Sequence, residues 1–141
     1  MYPPKKILVP TDFSVYSDNA FKEALKIGEH HNSKIYLIHV IPTMKYAPYQ
    51  DSLIEQAEEQ SRKFAEERLQ KIAKIVDASK VEVVFNIKKG HTAETILAEQ
   101  EDKEIDMIVM APHGMKGFID RLGSVSERVL RGSKVSVLLI K

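Results

Sequence analysis

Five short runs rich in β-branched residues recur along this chain, and a helix-like stretch separates each from the next. They are Lys6-Ile7-Leu8-Val9, Lys34 to Val40, Val81 to Ile87, Asp106-Met107-Ile108-Val109-Met110 and Val135 to Ile140. Most are apolar on both faces, which an antiparallel sheet with one wet side does not need. A strand buried on both sides belongs in a parallel sheet covered by helices above and below. The third run alternates partly, as an edge strand with one wetter face would. The order βαβαβαβαβ therefore implies a doubly wound, Rossmann-like α/β domain of three layers, αβα.

The intervening segments carry helical period. Ala20, Phe21, Ala24, Leu25 and Gly28 form one stripe, and Leu53, Ala57, Ser61, Phe64, Ile72 and Val76, with Ala65 and Leu69 alongside, mark a much longer second helix. On its outer face Glu58 stands four residues before Arg62, and Glu59 four before Lys63, a spacing that lends small support to a solvated helix. Thr92 opens a short third helix through Ile96 and Leu97. Ser124 opens a fourth, with Glu127 completing a capping box and Gly132 as a stop signal. Ile41 to Gln50, with Pro42, Pro48, Tyr46 and Tyr49, reads as a mobile loop or lid.

At 141 residues the chain is one domain, 1–141, with enough interior to fold without staples. It has no cysteine, which excludes thiol catalysis, cysteine-based zinc sites and disulfides. With 21 Lys plus Arg against 20 Asp plus Glu, the net charge of +1 gives no reason to expect nucleic acid or anionic membrane as a partner. Met1 to Lys6 lacks a signal-peptide pattern, and the apolar runs are too short to span a bilayer, so the expected compartment is the cytoplasm.

Open parallel sheets bind ligands beyond the C-terminal ends of their strands, where the strand order reverses. Three such ends stand out: Pro10-Thr11-Asp12-Phe13-Ser14, Ile41-Pro42, and Ala111-Pro112-His113-Gly114. Between the last of these and Ser124 lie Lys116, Gly117, Arg121 and Gly123. Glycines and cations ahead of a capped helix start suit an anion, because helix N–H groups and the helix dipole point outward. They also serve as ordinary turn punctuation. There is no Walker A loop, no GxGxxG in the first turn, no acidic residue ending the third strand as a receiver domain needs, and no GxSxG elbow.

The segments Lys6 to Ser14, Leu37-Ile38-His39-Val40, Asp106 to Met110 leading into His113-Gly114, and Gly123 to Leu130 together resemble the universal stress protein family, over essentially the whole chain. The resemblance implies a five-stranded parallel sheet of order 3-2-1-4-5 and bound ATP, with or without Mg2+. ATP-binding members carry Gly, two residues, Gly, nine residues, then Gly with Ser or Thr. Here Gly114 and Gly123-Ser124 match, Ala111 replaces the first glycine, and residues 115–122 give a spacer of eight. The extra methyl, the shorter loop and the donor lost at Pro112 would crowd the phosphates, whereas Lys116, Gly117 and Arg121 keep the loop supple and cationic.

By this resemblance the nucleotide site comprises Pro10, Thr11, Asp12, Val40, Ala111, His113, Gly114, Lys116, Gly117, Gly123, Ser124 and Val125. Asp12 would face the ribose or adenine end, Val40 would offer backbone groups to the base, and Ser124 would meet phosphate. Each has a plainer reading: Asp12 as a turn or cap residue, Val40 as core, Ser124 as an N-cap. His113 has no carboxylate placed by sequence to orient it, so a positional role is expected rather than catalysis. His39 reads as a hydrogen-bonded interior residue, His30 and His31 as helix-end cations, and His91 as a turn residue.

The leading expectation is an ATP-binding regulatory or signalling module with an unidentified protein partner. The alternatives are a dimeric interaction module of the same fold without nucleotide, and a slow nucleotide hydrolase. Val135 to Ile140, an apolar edge strand without proline, invites pairing with its own twin, so a homodimer through 135–140 is expected.

Overall fold

The computed structural model describes residues 2–43, 51–114 and 122–141. Its elements are β1 (Lys6–Pro10), α1 (Val15–His31), β2 (Lys34–Pro42), α2 (Asp51–Asp77), β3 (Val83–Gly90), α3 (Thr92–Asp102), β4 (Met107–Met110), α4 (Ser124–Gly132) and β5 (Ser136–Leu139). The five strands form one parallel sheet ordered β3-β2-β1-β4-β5. The parallel, doubly wound sheet is the one expected from the alternation of the runs, and the strand order is the one that the family resemblance implies.

Alternation along each strand divides the interior in two. Ile7, Val9, Ile35, Leu37, Met107 and Val109 face α1 and α2, where Ala20, Phe21, Ala24, Ala65 and Leu69 meet them. Leu8, Ile38, Val40, Ile108 and Met110 face the opposite way, toward Ala93 and Ile96 of α3 and Val129 of α4. β4 is buried along its whole length, while the edge strand β3 is mostly half-buried. Gly28 lets α1 approach the sheet closely, since a Cβ there would stand 3.0 Å from Val81 Cγ1.

Several boundaries differ from the sequence reading. β3 starts at Val83 rather than Val81 and runs on to Gly90. β5 is shorter than Val135–Ile140, spanning Ser136–Leu139. Asp106 precedes β4: its Oδ2 accepts the N–H groups of Lys5 and Lys6, each at 2.9 Å, pinning the start of β1. Ile41 and Pro42 extend β2, because they pair with Lys89 and Gly90; residues 44–50 of the expected lid lie outside the described residues. Glu58 reaches Lys89 of β3 at 2.8 Å, so its partner is tertiary rather than Arg62. His30 and His31 do occupy the last turn of α1. Among the described residues no helix is long and apolar enough to cross a membrane.

Candidate functional site

The chain leaves β1 toward β2 on one side and returns through β4 on the other, so a crevice opens beyond the C-terminal ends of β1 and β4. It holds a cavity of about 780 Å³. Ten of the twelve residues expected at the site line it: Pro10, Thr11, Asp12, Val40, Ala111, His113, Gly114, Gly123, Ser124 and Val125. Lys116 and Gly117, with Arg121, lie outside the described residues. One wall is apolar, made by Ile38, Val40, Pro42, Ile96 and Met110. The opposite end is the N-terminus of α4.

The turn after β1 is tied by hydroxyl groups. Asp12 Oδ1 accepts the Ser14 N–H at 3.0 Å and lies 3.0 Å from Ser17 Oγ, which in turn lies 3.0 Å from Thr11 Oγ1. Ser14 caps α1, its Oγ accepting the Ser17 N–H at 3.2 Å. Asp12 therefore fills the turn role considered for it, yet its side chain remains exposed at the cavity mouth.

The turn after β4 interlocks with this one. A Cβ on Gly114 would stand 2.5 Å from Asp12 Oδ2, so the carboxylate packs where only a glycine leaves room. His113 is buried, with its ring centre 4.3 Å from that of Tyr16 in an edge-on contact.

At α4 the N-cap is Gly123, not Ser124, and among the described residues no side chain caps the helix. Ser124 is the first helical residue, and the capping box with Glu127 does not form. Gly132 is the last helical residue rather than a stop beyond it. The reason is tertiary: the Gly123 N–H donates to Pro112 O at 2.7 Å, closing the neck of the 112–123 loop, and Ser126 Oγ donates to Ala111 O at 2.9 Å. A Cβ at Gly123 would stand 3.3 Å from His113 Cα, a tight contact with backbone, so this glycine eases the close approach at the neck. Its N–H is engaged there, and the N–H groups left without a helical partner are those of Ser124, Val125 and Ser126.

His39 lines the cavity and is also hydrogen-bonded, combining the interior role expected for it with a place in the wall. Its Nδ1 lies 2.8 Å from Thr11 O, so Nδ1 donates, and Nε2 of the neutral ring is an acceptor. Burial lowers its pKa below the ordinary 6.5, outweighing the Thr11 bond and the Asp12 charge, which raise it. Thr92, Ile96, Ser17 and Ser126 also line the cavity and were not anticipated. Inspection of the third strand end would have found Thr92. The others depend on which helix face meets the sheet. Among the described residues no cluster of His, Asp and Glu could hold a metal ion.

Comparison with known proteins adds the relationship. The model of the universal stress protein family matches residues 3–141. Universal stress protein MJ0531 of Methanocaldococcus jannaschii is 33% identical over 141 residues, covering 97% of this chain and 82% of its own. The structure of UspA from Lactobacillus plantarum superposes with a TM-score of 0.92 at 23% identity, covering 97% of both chains. A universal stress protein family structure from Arabidopsis thaliana with AMP bound superposes at 0.69 and 22% identity, covering 98% of this chain and 92% of its own.

Proposed function

Because this chain belongs to the universal stress protein family, we propose that its cavity holds ATP and that the protein acts as a nucleotide-responsive regulatory module. The observation that carries this reading is the division of one cavity into an apolar slot and a helix N-terminus. A purine fits between Ile38, Val40, Ile96 and Met110, with backbone groups near Val40 available to its edge. The ribose hydroxyls would donate to Asp12, and the phosphates would reach the N–H groups of Ser124, Val125 and Ser126, where the helix dipole favours negative charge. Ala111, in place of the family's glycine, lines this cavity. The AMP-bound relative supports an adenine nucleotide as the ligand class. Mg2+ would arrive with the phosphates.

The test is thermodynamic. If MgATP binds only the folded state, ligand at 100 times its dissociation constant adds about 2.7 kcal/mol, a rise in melting temperature of about 10 °C. No shift at millimolar MgATP and no heat on titration would leave the dimeric interaction module as the better reading. A homodimer through β5 is part of the same proposal, because β5 is a sheet edge with the apolar Leu138 exposed on it.

A further inference from the structure

Phe13 sits at φ +64°, in the left-handed region that a bulky residue rarely adopts. Two other described non-glycine residues share that region, and both have ordinary reasons. Asn32 is the C-cap of α1, and Glu104 stands in the tight turn after α3. Phe13 is neither. It lies between Asp12 and Ser14, in the turn that presents the carboxylate to the cavity, and such backbone strain persists only where the surroundings over-determine it.

Two of its restraints come from the turn itself: the Phe13 N–H donates to Thr11 Oγ1 at 3.0 Å, and the Ser14 N–H donates to Asp12 Oδ1 at 3.0 Å. A third comes from α2. Arg68 Nη2 donates to the Phe13 carbonyl at 3.1 Å, and the guanidinium carbon lies 5.5 Å from the centre of the Phe13 ring. The same guanidinium lies 5.9 Å from the Phe64 ring, one turn earlier on α2, and 4.0 Å from Asp18 of α1. The Phe13 ring is buried between the His39 ring, 4.5 Å away, and the edge of Phe64, 5.9 Å away. Arg68 thus holds both ends of this residue, carbonyl and ring.

We infer that Arg68 is a positioning residue for the candidate nucleotide site: by holding Phe13 in its left-handed conformation it keeps the Asp12 carboxylate facing the cavity, although it does not line the cavity itself. Without the guanidinium, the carbonyl loses a charged donor and the strained turn relaxes toward negative φ. That rotation carries the Ser14 N–H away from Asp12. The effect on binding rests on the nucleotide reading above, whereas the effect on the turn does not.

The experiment is a double-mutant cycle of Arg68→Ala and Phe13→Gly, read in two ways. Glycine reaches positive φ without strain, so it removes the need for the clamp. In the ligand-free protein, Arg68→Ala should speed hydrogen exchange of the Ser14 amide about tenfold, the loss of one bond from a charged donor, and should do so far less when Phe13 is already glycine. Affinity for MgATP by calorimetry should fall by about tenfold on Arg68→Ala alone. In the Phe13→Gly background the further loss should be under about twofold, below the limit of simple additivity. Equal losses in both backgrounds, or unchanged Ser14 exchange in folded Arg68→Ala, would overturn the inference. If the unmodified protein takes up no ATP, the nucleotide reading fails, and the amide exchange still decides the role of Arg68.

Discussion

A methyl group at position 114 would collide with Asp12 Oδ2, and that carboxylate cannot swing aside without giving up Ser14 N–H and Ser17 Oγ. Gly114→Ala should therefore weaken MgATP binding by about tenfold, the loss of one hydrogen bond to a charged group. Calorimetry checks this, and an unchanged dissociation constant would show that Asp12 takes no part. His39 makes a different prediction. Its folded pKa lies below 6.5, so as pH falls through 6.5 the unfolded chain takes up the proton first, and stability declines. The contribution is present above that pH and diminishes below it. His39→Asn keeps a donor near Thr11 O without the ionisation. Its urea midpoints should fall less than those of the parent between neutral pH and the acid side of 6.5, and parallel curves would refute the assignment.

Helices place the site more than strands do. The start of α4 is set by two bonds to the end of β4, from Gly123 N–H and Ser126 Oγ. Ser126→Ala leaves the Ala111 carbonyl without its hydroxyl donor in a buried setting, and should cost about 1–2 kcal/mol. The check is a lower urea midpoint with an unchanged slope, accompanied by weaker MgATP binding as the helix N–H groups drift. A variant as stable as the parent would mean that the hydroxyl does not fasten the helix. The hydrophobic period of α2 was legible in the sequence, but only Ala65, Leu69 and Val76 are buried among its 27 residues. Its contribution to the site, the reach of Arg68 to Phe13, had no signal in spacing.

At the scale of the whole molecule, β5 is an open edge whose side chains divide between two environments. Val137 and Leu139 pack against the α3 and α4 interior, so they are unsuitable for testing assembly, contrary to what their apolar character suggests in sequence. Leu138, 38% exposed, is the better position. A charged residue on an edge strand opposes pairing. Leu138→Lys should leave the melting temperature of the monomer fold nearly unchanged while converting a dimer mass to a monomer mass in light scattering. A monomer mass for the unmodified protein would remove the dimer. The sequence by itself determined the three-layer, parallel class of the fold, because doubly apolar runs at helix-length intervals admit few other arrangements, whereas the strand order followed from the family resemblance of its motifs. Through the strand ends and the motifs shared with the family, it also marked ten residues that line one cavity. Only the tertiary structure decided how that convergence is held. Gly114 yields space to Asp12, Gly123 caps α4 by bonding Pro112, and Arg68 reaches Phe13 across 55 residues of chain. Periodicity reports which face of an element is buried, but not which atoms of a distant element arrive there. Contacts of that kind depend on the packing distance and rotation of each helix on the sheet.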